Sequence, residues 1–315
     1  MGVKQFLRFL SVGLISALYS VMAHAEYTWN FPAPATPMAT DTLHVHNEFM
    51  MIVAVIFLVV LGIMIYSLVN HRKSKGYKPS KFTGPANKFQ LIWTLVPFAI
   101  LLYIDFILMG IPAFHSIQIM QDTKSNADMA IKVVGSQWRW QYEYLDGEAQ
   151  GVKFVSNLST PQDQIENKAE KGENYLLEVD NHLVLPVGKK VRIVLTANDV
   201  IHSWMVPAFG VKQDAIPGFV RDTWFRAEKE GIYRGQCAEL CGKDHGYMPI
   251  VVEVVSQEKY AAWVSDTKKA MAASADDPEK KWELADLKAR GEKVYAANCV
   301  ACHQEIGRAS CRERG

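Results

Sequence analysis

The sequence predicts a hairpin of two transmembrane helices, then an all-β sandwich outside the membrane, then a short helical fragment at the C-terminus. Two long apolar segments, a basic loop between them, and a later change to two-residue periodicity support this fold class. Of the 315 residues, 49% are hydrophobic and 21% charged, which excludes a disordered chain. The formal net charge of +1 does not favour nucleic-acid binding, so we expect no nucleic-acid partner.

Residues 1–25 are predicted to be a cleaved signal peptide. Lys4 and Arg8 give a basic start, and a short apolar run ends at Ala23-His24-Ala25, which has the small-x-small form of a cleavage site. An uncleaved anchor helix is the alternative, although the apolar run is short for a bilayer span. Residues 26–47 contain three prolines and are predicted to be a linker or an irregular cap.

Two apolar segments, Phe49–Val69 and Phe89–Ile111, are predicted to cross the membrane. The first carries no charge and would span about 31 Å as a helix, the thickness of a hydrocarbon core. The loop between them is purely basic, which places it in the cytoplasm and both ends of the hairpin outside. Asp105, about 24 Å along the second helix, either has a functional or pairing role or lies inertly in the outer headgroup region.

Residues 112–264 are predicted to form an antiparallel β-sandwich or barrel, because short segments of β-branched and aromatic residues alternate with turns. Residues 147–174 are polar and are predicted to be a long loop. Four alternating aromatics fit either a core face or an exposed contact patch, and their spacing leaves both open. The predicted strands are 131–134, 138–144 (with these aromatics, Trp138, Trp140, Tyr142 and Tyr144), 175–179, 190–196, 223–227 and 249–255.

A dense group of potential metal ligands lies near the end of this domain. Two thiolates, an imidazole, a thioether and a carboxylate fall within twelve residues, and one further imidazole comes from a separate strand end. Thiolates and thioethers are soft ligands that favour copper, which imidazole also binds well. The residues are Cys237, Glu239, Cys241, His245, Met248 and, upstream, His202.

Three other interpretations of this group remain open from the residues alone. A disulfide between the two cysteines suits an oxidising compartment but leaves His245 and Met248 unexplained. Zinc accepts two Cys and two His, but thioether is a poor zinc ligand. A mononuclear blue-copper site needs one Cys, whereas two bridging thiolates would let two copper ions share one electron. We therefore favour a dinuclear copper site that relays electrons.

The sequence resembles subunit II of the haem-copper cytochrome c oxidases over residues 26–264. The resemblance rests on three motifs together with the two helices: residues 135–144 (GSQWRWQYEY), residues 214–218 (DAIPG), and residues 235–249 from Gly-Gln-Cys to Met-Pro. It implies a cupredoxin-like sandwich that carries a dinuclear copper centre. It also implies partners: oxidase subunit I, subunit III and a cytochrome c donor, in a bacterial inner membrane with the sandwich in the periplasm.

The resemblance also implies individual roles. Cys237 and Cys241 match the bridging thiolates, and His202, His245 and Met248 match the remaining side-chain ligands. Glu239 would give its backbone carbonyl to copper and its side chain to a magnesium or manganese ion shared with subunit I. Trp138 matches the residue through which electrons enter from cytochrome c. Gln90 stands where the family often has a glutamate associated with proton uptake, which puts that role in doubt here.

The C-terminal region contains a haem-attachment motif. Cys299, Cys302 and His303 form C-x-x-C-H, the signature of c-type haem, after a predicted linker at 265–284. The region 285–304 resembles the start of a cytochrome c domain, which some bacterial oxidases fuse to subunit II. Only twelve residues follow His303, too few for a haem pocket, and residues 305–315 resemble a translated sequencing adapter. We expect haem c to bind only in a longer parent chain.

These features favour one function over two others. The main hypothesis is a terminal oxidase subunit that accepts electrons at the copper pair and passes them to haem in subunit I, where oxygen is reduced and protons are pumped. A copper-free quinol-oxidase-type subunit is the first alternative, and the intact ligand set argues against it. A copper carrier is the second, and the two membrane helices argue against it.

Overall fold

A computed structural model describes residues 30–78, 87–108, 110–274 and 282–298. The predicted signal peptide and the C-x-x-C-H motif lie outside these residues. Helix α1 spans Pro37–Asn70 and helix α2 spans Asn87–Leu102, continued by a π-helical segment at Tyr103–Leu108. Both helices are long and apolar enough to cross a membrane, over Pro37–Asn70 and Lys88–Ile107, and their apolar side chains point outward. This confirms the predicted pair of spans.

Both helical runs extend further than the sequence predicts. Helix α1 begins at Pro37, so residues 37–47 are helical and not the predicted linker or irregular cap. Proline is well tolerated in the first helical turn, which the prediction did not take into account. Beyond the second span, helix α3 covers Gly110–Gln121, so the helical run does not end at Ile111 as predicted.

The start of helix α1 is anchored on the sandwich. Thr36 is buried, and its hydroxyl accepts from Ala39 N (3.0 Å) and donates to the Phe209 carbonyl (2.8 Å). Met38 is buried beside it. A side chain at Gly210, whose φ is +66°, would lie 2.9 Å from the Ala39 Cα, so the close approach requires glycine. The membrane anchor and the sandwich are therefore joined by direct packing.

Replacing Thr36 with valine is expected to destabilise this junction by about 1–2 kcal/mol, because the variant loses the helix cap and leaves the Phe209 carbonyl unpaired. Thermal unfolding of the detergent-solubilised chain would measure the change. Thr42→Val is the matched control, since among the described residues the Thr42 hydroxyl bonds within its own helix, to the Met38 carbonyl. Equal melting temperatures for the two variants would contradict the anchoring role.

Residues 129–255 form a sandwich of two five-stranded sheets. The first has the order β3-β2-β1-β5-β8 and the second β4-β10-β9-β6-β7. Strands β1 and β5 pair in parallel, as do β4 and β10, so the sheets are mixed and not purely antiparallel as predicted. The strands are β1 Met129–Ser136, β2 Arg139–Tyr144, β3 Lys153–Ser156, β4 Leu183–Pro186, β5 Lys190–Ala197, β6 His202–Val206, β7 Val211–Ala215, β8 Arg221–Arg226, β9 Gly231–Cys237 and β10 Pro249–Val255.

The aromatic strand β2 supplies the core. Trp140, Tyr142 and Tyr144 are all buried, which settles the open choice in favour of a core face for these three. Trp138 is different: it precedes the strand, lies in the β1–β2 turn and is only half-buried. The prediction that all four share one strand face was therefore wrong for Trp138.

Two further segments differ from the prediction. Residues 175–179 contribute only an isolated bridge between Val179 and Leu158, not a strand. The predicted loop 147–174 contains strand β3 and the short helix α4 at Gln162–Ile165. Strand β3 pairs antiparallel with β2, and such pairing depends on the partner strand as well as on the residues of the segment itself.

The chain divides into two compact units after Val264. Helix α5 covers Gln257–Ser274, and its first part packs on the sandwich through the buried Tyr260 and Val264. Residues 265–274 are thus helical, whereas the sequence predicted a linker there. In the second unit, helix α6 covers Leu284–Asn298.

Candidate metal centre

Two adjacent strands bring the predicted ligands together. His202 begins β6 and Cys237 ends β9, and these strands pair antiparallel with Trp204 opposite Cys237. The chain then forms a loop over residues 237–248, here called the metal loop, before β10 begins at Pro249. Sheet pairing therefore places a histidine on one strand beside a cysteine on its neighbour, as the sequence predicted.

The ligand atoms lie close together. The Cys237 and Cys241 Sγ atoms are 3.8 Å apart, and both thiols are free. The ligand atoms of His202, Cys237 and Cys241 all fall within 4.8 Å of one another. Cys241 Sγ is also 3.5 Å from His245 Nδ1 and 3.6 Å from Met248 Sδ. The structure thus brings together five predicted ligand side chains around one pair of sulfurs.

The backbone of Glu239 contacts this group. The Glu239 carbonyl oxygen is 3.3 Å from Cys237 Sγ, and the residue is exposed. One residue therefore offers a backbone oxygen at the site and a solvent-exposed carboxylate.

His202 is fully buried and oriented by a neighbouring carboxylate. Its Nε2 is 2.8 Å from Asp199 Oδ1. A carboxylate can only accept, so Nε2 carries a proton, and Nδ1 can offer a lone pair to a metal when the ring is neutral. Within the described residues, Nδ1 has no hydrogen-bond partner although it is buried. A buried imidazole with one nitrogen held by a carboxylate and the other unpaired has the usual arrangement of a metal ligand.

The two thiols differ in acidity. Burial raises the pKa of Cys237, but the nearby His202 imidazole and backbone groups of Ser203 and Glu239 outweigh it, so that pKa falls to about 7. Burial and the neighbouring Cys237 raise the pKa of Cys241 to about 12. Thiols bind metal as thiolates, so we expect proton release on metal binding. The donor set fits soft metal ions such as copper.

Trp138 contacts the metal loop directly. Its indole Nε1 donates to the Cys241 carbonyl at 3.2 Å. The half-buried Trp138 is therefore one hydrogen bond from a predicted ligand.

Sequence reasoning gave no individual role to several residues that shape the site. Gly135 leaves room for His202, since a Cβ there would lie 2.9 Å from the imidazole ring. Trp140 donates its indole N–H to the Met248 carbonyl at 3.1 Å and meets the His202 ring edge-on. Asp199 orients His202 from three residues upstream. A glycine directly after Val133 and Val134 in a predicted strand region was the available signal for Gly135.

The other singled-out residues lie elsewhere. Gln90 lies in the first turn of α2 and is exposed, and Asp105 lies exposed in the π-helical segment. Cys299, Cys302 and His303 lie outside the described residues, so the haem motif stays a prediction.

Comparison with known proteins places these features in one family. The family model described as "Cytochrome C oxidase subunit II, periplasmic domain" matches residues 129–255. The model described as "Cytochrome C oxidase subunit II, transmembrane domain" matches residues 24–115. Together they cover both the membrane hairpin and the sandwich.

Individual proteins that are similar to this chain carry the name of the same family. Cytochrome c oxidase subunit 2 of Cereibacter sphaeroides is 38% identical over 248 residues, which cover 76% of this chain and 80% of that protein. A probable cytochrome c oxidase subunit 2 of Rickettsia bellii is 34% identical, covering 85% of this chain and 95% of that protein. The solved periplasmic domain of cytochrome oxidase subunit II of Bradyrhizobium japonicum is 46% identical, with a TM-score of 0.41, covering 46% of this chain and 96% of that chain. The chain is therefore a membrane-anchored protein with a periplasmic domain, and it belongs to the cytochrome c oxidase subunit II family.

Proposed function

We propose that this chain is the electron-entry subunit of a terminal cytochrome c oxidase in a bacterial inner membrane. It accepts electrons from cytochrome c at a dinuclear copper centre and passes them to haem in subunit I, where oxygen reduction is coupled to proton pumping. The observation that carries the proposal is the pair of free, buried thiols 3.8 Å apart beside an unpaired imidazole nitrogen. Family membership supports the same oxidoreductase assembly.

The contacts support the proposed ligand roles. Cys237 and Cys241 would bridge two copper ions, and His202 Nδ1, His245 Nδ1 and Met248 Sδ would complete the side-chain ligands. When bound, the copper pair would supply a one-electron carrier. Four of these five side chains, those of His202, Cys237, Cys241 and Met248, are buried, which limits the access of water. Close packing of buried side chains also limits how far they move when the charge changes. The Glu239 carbonyl would be a further ligand.

Two further cofactors complete the proposal. The exposed Glu239 side chain would share a magnesium or manganese ion with subunit I, and subunit III would be a further partner. The C-x-x-C-H motif supports a haem c, which Cys299 and Cys302 would attach, with His303 as an axial ligand.

Trp138 is the proposed entry point for electrons. Replacing Trp138 with phenylalanine is expected to slow electron uptake from cytochrome c by about tenfold or more, because the ring loses its hydrogen bond to the Cys241 carbonyl and its fixed position. Rapid-mixing kinetics would measure this. Trp263→Phe, a half-buried tryptophan packed on Tyr144, is the control. Equal uptake rates in both variants would remove Trp138 from the route.

Copper loading of the full chain tests the function itself. We expect two copper ions per chain and the purple colour and near-infrared absorption of a mixed-valence pair. A colourless chain that does not retain copper would instead support the copper-free quinol-oxidase-type subunit. One Cu(I) per chain would support a copper carrier.

A further inference from the structure

Gln137 contacts both segments that carry the proposed copper ligands, although it is not a ligand itself. Its side-chain Nε2 donates to the Cys241 carbonyl at 2.9 Å. Its backbone N–H donates to Asp199 Oδ2 at 2.7 Å, and the other oxygen of that carboxylate holds His202. One residue in the β1–β2 turn therefore connects the metal loop with the carboxylate that orients His202.

The Cys241 carbonyl is the point where these contacts meet. It accepts from Gln137 Nε2 and from Trp138 Nε1, at 2.9 and 3.2 Å. A carbonyl oxygen has two lone pairs, so these two donors use its full capacity. The position of Trp138 relative to the metal loop is thus fixed by a pair of donors on adjacent residues.

The surroundings leave the Gln137 amide little freedom. Gly242 follows Cys241 with a φ of +115°, and a Cβ there would lie 2.9 Å from Gln137 Nε2 and 3.3 Å from the Trp138 ring. The absence of a side chain at this position lets the turn approach the metal loop closely. Gln137 is half-buried, so water competes less with its hydrogen bond than at an open surface.

We infer that Gln137 is a positioning residue that braces the Cys241 and His202 segments against each other and sets the position of Trp138 over the metal loop. The inference rests on the proposed function, since bracing matters only if the site binds copper. It assigns to the turn a role separate from electron entry: holding the ligands in place.

The test compares Gln137→Leu with Gln141→Leu in the full, copper-loaded chain. Leucine keeps most of the volume and removes the amide. Gln141 is a half-buried residue of β2 that pairs with Val134 and Val155 and lies away from the metal loop, so it is the matched control. In Gln137→Leu we expect about fivefold faster loss of copper to a chelator, as for the loss of one hydrogen bond. We also expect a shifted near-infrared band, which a purely structural loss of stability would not produce.

The outcomes separate this inference from the proposed function. If the unmodified chain shows no paired-copper spectrum, the proposed function fails first. If it shows that spectrum and Gln137→Leu matches Gln141→Leu in copper release and band position, the bracing role is wrong. Faster release with a shifted band in Gln137→Leu alone supports it.

Discussion

Replacing Cys241 with serine is expected to leave fewer than two copper ions per chain and to abolish the near-infrared absorption. Cys241 has a central position in the predicted site, because its sulfur lies within 3.8 Å of Cys237 Sγ, His245 Nδ1 and Met248 Sδ. A serine hydroxyl stays protonated and is a hard, weak ligand, so the two metal positions lose their shared bridge. We expect oxidase turnover to fall by at least about a hundredfold, beyond the usual loss for a group that only supports a ligand.

Metal analysis, absorption spectra and oxygen consumption of the assembled oxidase would measure these effects. Unfolding of the copper-free chain is the control, since exchanging sulfur for oxygen changes the buried volume little and the two chains should melt together. Cys237→Ser should behave in the same way. If either variant kept both the absorption and the turnover, the bridging role of the two thiols would be untenable.

The features that could be predicted from the sequence depend on residues that lie near one another along the chain. Apolar runs predicted the two spans. The residue types between Cys237 and Met248 predicted a group of metal ligands; the structure brings His202, Cys237 and Cys241 together, and the ligand roles stay a prediction. The extension of α1 to Pro37 was missed because its first turns are held by contacts with Phe209 and Gly210, far along the chain. The parallel strand pairs were missed for the same reason.

The hydrogen bonds that orient the predicted ligands could not be predicted from the sequence either. Asp199 is near His202 in sequence, but its bond to the Gln137 backbone joins residues 62 positions apart. Gln137 and Cys241 are separated by 104 positions. Neither periodicity nor a local motif can predict a contact between residues so far apart in the chain. Trp138 is an exception among the surrounding residues, because the resemblance to oxidase subunit II singled it out. Ligand types follow from residue chemistry, but their orientation follows from tertiary packing.

The largest structural effect is expected from Gly235→Ala, because this glycine permits the contact between the two ligand-bearing strands. A Cβ at this position would lie 2.0 Å from the Met205 carbonyl oxygen and 3.1 Å from Val206 Cγ2. The Met205 carbonyl belongs to the backbone of β6 and cannot move away from the added Cβ as a flexible side chain could. Strand β9 would therefore have to separate from β6. The pairings of Trp204 with Cys237 and of Met205 with Gln236 would weaken, and these hold His202 and Cys237 together.

We expect Gly235→Ala to destabilise the sandwich by about 3 kcal/mol or more, as severe overpacking does. We also expect it to lose copper although it changes no ligand. Thermal unfolding followed by circular dichroism and metal analysis would measure both effects. Gly172→Ala is the matched control, since its nearest neighbour would be the Gln164 amide at 3.9 Å, an ordinary contact. Gly235→Ala with the melting temperature and copper content of this control would show that the two strands do not need their close approach, and that the ligand pair is held by other contacts.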